Sequence, residues 1–224
     1  MKSIVDQWRS GLSVADRPDE YEVKSLLAQL GLQVPRGLRL VPGATSSIPD
    51  FQGPYVAKVC SADIIHKTDL NGVHLNIGLD NMAATLQKLH IAFPEASILV
   101  EEMVASEGPE MIAGGLIDPG FGPAVMVGAG GILTEIAQDV AFRLAPLDEA
   151  EAGRMLMELK IYPVFKGFRG LRLDSAPLAR LLVTVSRLVG TLGPRFDQLD
   201  LNPIVWSRAG WTILDAKLML HAMI

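Results

Sequence analysis

Two periods of apolar residues alternate along the chain. Val23, Leu26, Leu27 and Leu30 fall at i, i+3, i+4 and i+7, which predicts a helix opened by Pro18-Asp19-Glu20 and ended by Gly31. Asn81 to Phe93 puts Met82, Leu86, Leu89 and Phe93 on one stripe, a second helix. Asp148–Leu159 and Leu178–Leu192 read as further amphipathic helices, the latter stopped by Gly193-Pro194, because proline cannot continue the backbone ladder. Shorter runs predict strands at Val56–Val59, Ser97–Val104, Glu110–Ile117, Pro123–Val127 and Ile132–Ala137, and Leu199–Lys217 reads as a hairpin about Ser207–Gly210. Leu32–Pro35 is extended, Val41–Pro54 is loop, and Met1–Asp16 shows no period. Strands mixed with helices, without a strict βαβ repeat, predict an α+β (α/β mixed) architecture in two lobes, joined near Val104–Gly108.

Composition narrows the class. The 224 residues are 49% hydrophobic and 20% charged, enough for a substantial core, and a mean hydropathy of +0.29 points to a subunit interface. A net charge of -5 argues against nucleic acid as a partner, since phosphate backbones select basic surfaces. One cysteine excludes an internal disulfide framework, and its place in an apolar strand makes Cys60 a small buried hydrophobe rather than a nucleophile. No run of 18 apolar residues occurs, and MKSIVDQWRSG does not read as a signal peptide. The expectation is a soluble cytoplasmic protein with no membrane partner.

Candidate chemistry concentrates at the end of the strand beginning at Val56. That run carries Lys58 and turns through Ser61-Ala62-Asp63 into His66, Lys67, Thr68 and Asp69, with Gly72 closing the loop. A neutral imidazole is nucleophilic near physiological pH, so an accessible His66 can carry a phosphoryl group, with Asp69 to orient it and Lys67 as a charge for the incoming phosphate. Lys58 is either an edge-strand lysine snorkelling to water or a contact to phosphates. In the terminal hairpin, opposed residues sum to 417, pairing Ile204 with Ile213, Asn202 with Asp215 and Asp200 with Lys217. Alternation then gathers Asp200, Asn202, Asp215 and Lys217 on one face: a solvated polar face, or oxygen ligands for Mg²⁺ shared with a polyphosphate. Pro203 inside that strand requires an edge or a bulge. Gly128-Ala129-Gly130-Gly131 is neither a dinucleotide fingerprint nor a P-loop and reads equally as a tight turn or a ligand contact. Glu101–Val104 reads as a polar strand end, and Arg169 as either a surface charge or a phosphate clamp.

The stretch Lys-Val-x-Ser-x-Asp-Ile-x-His-Lys-Thr-Asp-x-x-Gly-Val (Lys58–Val73) resembles the ATP-grasp β subunit of NDP-forming acyl-CoA synthetases, the family of the ADP-forming acetate–CoA ligases. Ile117–Pro123, Gly130-Gly131-Ile132 with Glu135, Arg143–Leu147, and Asp200-x-Asn202-Pro203 extend the resemblance from Arg17 to Leu220. Departures include Ala62 for proline, Asn71 for glycine, Gln198 for an acid and Ile117 for arginine. The resemblance implies an ATP-grasp fold with nucleotide between its lobes, an N-terminal lead at 1–16, an N-lobe at 17–104 and a C-lobe at 105–224. It implies His66 as the phosphohistidine that ferries phosphate from a CoA-binding α subunit, in a heterotetramer, to ADP. It further implies Asn202 and Asp215 as Mg²⁺ ligands supported by Asp200, and Lys58 and Arg169 on the phosphates. By the same resemblance Glu102 and Glu110 are expected near adenine and ribose, and the backbone through Val104 on the adenine edge of ATP or ADP. The chain lacks a CoA-binding Rossmann segment. Two other readings of the residues are a non-catalytic nucleotide-binding regulatory subunit and a stand-alone ATP-grasp carboxylate ligase.

Overall fold

The computed structural model describes the chain except residues 15, 45–48, 65–66, 132–137, 172 and 222–224. The predicted strand at Ile132–Ala137 therefore lies outside the described residues. In chain order the helices are α1 (Lys2–Ser10), α2 (Glu20–Gln29), α3 (Leu79–Ala92), α4 (Glu149–Glu158) and α5 (Ser175–Leu192). The strands are β1 (Gly37–Leu40), β2 (Tyr55–Cys60), β3 (Val73–Ile77), β4 (Ser97–Glu102), β5 (Met111–Asp118), β6 (Gly122–Ala129), β7 (Val140–Leu144), β8 (Phe196–Ser207), β9 (Gly210–Ile213) and β10 (Ala216–Leu220).

The chain divides into two compact units, Asp19–Glu22 with Pro35–Val104, and Met1–Pro18 with Val23–Val34 and Ala105–Ile224. Val23–Val34, placed by the sequence reading in an N-terminal lobe, belongs to the second, larger unit, and so does the N-terminal lead. The apolar stripe of α2 explains this: Val23, Leu26 and Leu27 are buried in the larger unit's core.

The smaller unit is a four-stranded antiparallel sheet ordered β1-β4-β2-β3. Helix α3 packs Met82, Leu86 and Leu89 into its core with Tyr55, Ala57, Ile98 and Val100. Every residue of β2 is buried, because β2 is paired on both sides.

The larger unit is an antiparallel sheet ordered β10-β8-β5-β6-β7, with β9 also paired to β8. One face carries Ala113, Val125, Val127 and Ala141 into a core with Leu182, Val185 and Val189 of α5 and Met155 of α4. Asp148 and Asp174 cap α4 and α5, accepting the N–H groups of Glu151 and Ala176. The segment 175–195 is long and apolar enough to span a bilayer, yet ten residues of α5 are buried, the pattern of a core helix. Helix α1 is an addition to the sequence reading. It buries only Val5 and Trp8, too few positions to make a visible repeat.

Candidate nucleotide and metal site

The hairpin register is the one expected from spacing except at Asn202 and Asp215, which the ladder does not pair. Ile204 pairs with Ile213, Trp206 with Trp211, Leu201 with Ala216 and Asp200 with Lys217. The ladder is interrupted between Ile213 and Ala216, where Leu214 N–H donates to Pro203 O at 2.9 Å. On the other side of β8 the pairing with β5 shifts by one residue between Met111 and Ala113. Strand β8 is interior, so the proline is accommodated by this bulge rather than by an edge. Lys24, buried on α2, donates to Leu214 O at 2.7 Å and satisfies a carbonyl that the interruption leaves out of the ladder.

Asn202 and Asp215 therefore flank an irregularity in the sheet, both half-buried. Asn202 Oδ1 accepts the Gly131 N–H at 3.3 Å. Gly130 N–H donates to Glu110 O at 2.8 Å, and the Glu110 carboxylate occupies the space that a Gly131 side chain would need. Gly131 also has φ +63°, so the turn requires glycine on two counts. These contacts bring Glu110, the glycine turn and Asn202 into one cluster. The Asp200 carboxyl is held above its ordinary range by burial and by the charge of Asp215, with Lys217 opposing. Its Oδ1 is buried with no hydrogen-bond partner among the described residues. Amide and carboxylate oxygens beside an unsatisfied buried oxygen fit a hard divalent cation, which would supply the missing charge. Among the described residues no group of three or more His, Cys, Asp or Glu forms a cage, so the nucleotide phosphates and water would complete the shell of a Mg²⁺ ion here.

In the smaller unit, Lys58 is 7% exposed and not at an edge, which overturns the snorkelling alternative. Its Nζ lies 2.9 Å from Glu20 Oε1 and 2.9 Å from Glu101 Oε2. Lys67 is not a spare charge awaiting phosphate, because its ammonium is paired with Glu20 Oε2. Glu20 and Glu101 are the residues that the sequence reading passed over. Glu20 read only as an acid in a helix's first turn, and Glu101 as half of a polar strand end. Burial pushes the Cys60 thiol up to about 12, in keeping with an inert buried cysteine.

Glu102 Oε1 accepts the Arg36 N–H at 2.9 Å, so this carboxylate serves the neighbouring backbone. Met103 N–H donates to Pro54 O at 2.8 Å, while the Val104 N–H meets no acceptor among the described residues. Arg169 stands exposed at φ 50° with its guanidinium 5.4 Å from the Phe168 ring centroid and makes no ion pair among the described residues. His66 and Glu135 lie outside the described residues. Two other stretches of the resemblance are architectural: Asp118 Oδ1 accepts the Gly120 and Phe121 N–H groups at 2.8 Å, and Arg143 ties β7 to Glu151 and Glu158 of α4.

Residues 14–220 match the ATP-grasp domain family. The chain belongs to this family, among the ATP-grasp β subunits of ADP-forming acyl-CoA synthetases. It is 35% identical over 212 residues to the β subunit of acetate–CoA ligase [ADP-forming] I of Pyrococcus furiosus, covering 90% of each chain. It is 36% identical over 205 residues to acetate–CoA ligase [ADP-forming] I of Archaeoglobus fulgidus, matching 87% of this chain but only 30% of that longer one. A solved structure of the dinucleotide forming acetyl-coenzyme A synthetase 1 of Candidatus Korarchaeum cryptofilum superposes with a TM-score of 0.79 at 29% identity, covering 98% of this chain and 99% of that one. That structure holds coenzyme A and Mg-AMPPCP, with a phosphohistidine segment pointing towards the nucleotide binding site.

Proposed function

We propose that this chain is the β subunit of a cytoplasmic ADP-forming acyl-CoA synthetase, working with a separate CoA-binding α subunit in a heterotetramer. The overall reaction is acyl-CoA + ADP + phosphate ⇌ carboxylic acid + CoA + ATP. The chain's own part is reversible transfer of the phosphoryl group between His66 and the terminal phosphate of the nucleotide. The observation that carries this reading is the 35% identity to a chain named as a β subunit, over 90% of each chain.

In this reading the smaller unit is the N-terminal lobe of the ATP-grasp fold and the larger unit, which includes residues 1–16, its C-terminal lobe. Asn202 and Asp215 would hold Mg²⁺, with Asp200 behind them. When bound, the ion offsets phosphate charge and fixes the polyphosphate for in-line transfer. Lys58, held between the Glu20 and Glu101 carboxylates, is the candidate phosphate contact of the smaller unit. The Val104 N–H, without an acceptor among the described residues, is the candidate donor to the adenine edge, with Glu102, Glu110 and Arg169 the candidates for adenine, ribose and phosphate.

The test is co-expression with a CoA-binding α subunit, followed by [γ-³²P]ATP and Mg²⁺. An acid-labile, base-stable label on the chain, lost in His66→Asn, supports the assignment. Nucleotide binding without any label would favour a regulatory subunit. Acyl phosphate formation by the isolated chain with His66→Asn intact in activity would favour a stand-alone ligase.

A further inference from the structure

Four charged side chains form a chain in the interior of the smaller unit: Glu101, Lys58, Glu20 and Lys67. Glu20 is the member that touches both lysines, with Oε1 on Lys58 at 2.9 Å and Oε2 on Lys67, and its side chain is 4% exposed. Its neighbours are committed elsewhere. Asp19 Oδ1 accepts the Glu22 N–H at 2.9 Å, Glu22 Oε2 accepts the Asp19 N–H at 3.0 Å, and Arg39 pairs with both carboxylates. This reciprocal cap fixes the first turn of α2, so Glu20 projects from a rigid base.

Lys67 is held at its other end as well. Its carbonyl accepts the Gly72 N–H at 2.7 Å, and Gly72 O accepts the Val59 N–H at 2.8 Å. A side chain at Gly72 would come within 2.6 Å of Val59 Cγ1, so glycine lets the 67–72 turn close tightly onto β2. The turn is therefore sewn by its main chain to the residue after Lys58, and by the Lys67 ammonium to the carboxylate that also holds Lys58. Buried ion pairs of this kind add little net stability over apolar packing of the same shape, so their value lies in fixing geometry.

We infer that Glu20 is a positioning residue for phosphoryl transfer: one carboxylate aims the Lys58 ammonium and tethers Lys67, the residue that follows His66 in sequence. The inference rests on the reading of His66 as the carrier and Lys58 as a phosphate contact. It differs from a stability role in what it couples. Removing the Glu20 charge leaves Lys58 with Glu101 but leaves Lys67 without its carboxylate. Transfer should then suffer more than nucleotide affinity.

The experiment compares wild type, Glu20→Gln, Lys67→Gln and the double variant as full-length chains assembled with the α subunit. The first readout is the single-turnover rate of acid-labile labelling from saturating Mg·ATP, alongside the dissociation constant of Mg·ADP. The second is the rate of tryptic cleavage after residue 67 in wild type and Glu20→Gln. Each single variant is expected to slow labelling about 10- to 100-fold, the loss typical of a misplaced reacting group, with nucleotide affinity changed far less. The double variant is expected to be no slower than the worse single one, since the contact that Lys67→Gln breaks is already lost in Glu20→Gln. Faster cleavage after Lys67 in Glu20→Gln is expected too. Unchanged labelling, losses that multiply in the double variant, or unchanged cleavage would overturn the inference. Lys67→Gln breaks the contact while leaving the Glu20–Lys58–Glu101 core intact, so it decides the matter if Glu20→Gln does not fold. Absence of label on wild type, with the cleavage difference intact, would refute the carrier reading and the catalytic role together while leaving the clamp standing.

Discussion

Gly130→Ala tests how tightly the glycine turn is built into the sheet beside Asn202. A Cβ at this position would lie 2.5 Å from both C and O of Met111 and 3.0 Å from Ile112 N. All three are backbone atoms of β5, which is paired on both sides and cannot rotate out of the way. Reaching ordinary van der Waals distance requires β5 and the end of β6 to part by roughly an ångström, and overpacking of that kind costs about 1–3 kcal/mol. The same movement stretches the 2.8 Å bond from Gly130 N–H to Glu110 O, a further loss of about 1 kcal/mol. The stiffer alanine backbone offsets about 0.4–1 kcal/mol through the unfolded state. The net expectation is destabilisation of about 2–3 kcal/mol, read as a lower urea midpoint with unchanged m-value. Because Gly131 N–H holds Asn202 Oδ1, the Mg·ADP-dependent rise in melting temperature should shrink as well. An alanine variant within about 0.5 kcal/mol of wild type, the ordinary range for uncrowded sites, would refute the close approach of these strands.

Three other expectations follow from the buried polar groups. Lys58→Met removes the ammonium 2.9 Å from the buried Glu101 carboxylate, so it should cost about 3–5 kcal/mol by denaturant titration, with much of the loss recovered in Lys58→Met/Glu101→Gln. Burial and Asp215 raise the Asp200 pKa above its ordinary 3.8, so the fold is favoured while that carboxyl is protonated and loses this contribution as pH rises through the raised value. Asp200→Asn should therefore raise the melting temperature of metal-free protein at pH 7, an advantage that fades as pH falls toward 3.8; an equal gain at both pH values would contradict this assignment. Cys60, 3% exposed and with its thiol pushed up to about 12, should resist iodoacetamide at pH 8 in the native protein and react once the chain is unfolded, as mass spectrometry would show.

Local pattern carried the elements that are long or strictly periodic. The stripes of α2, α3, α4 and α5, and the pairing register of the terminal hairpin, follow from side-chain spacing, because periods of 3.6 and 2 are properties of the backbone itself. The resemblance of Lys58–Val73 and Asp200–Pro203 to a known family likewise needs only the order of residues. What the linear pattern could not hold is who meets whom at a distance. Helix α1 is fixed by two apolar contacts rather than a repeat, and the bulge at Pro203 is fixed by its partner strand β5. The salt-bridge chain depends on Glu20 reaching Lys58 across 38 residues and Lys67 across 47. Whether a charge is buried, and which opposite charge compensates it, is set by packing between segments, and so it was decided only when the sheet and the first turn of α2 came together.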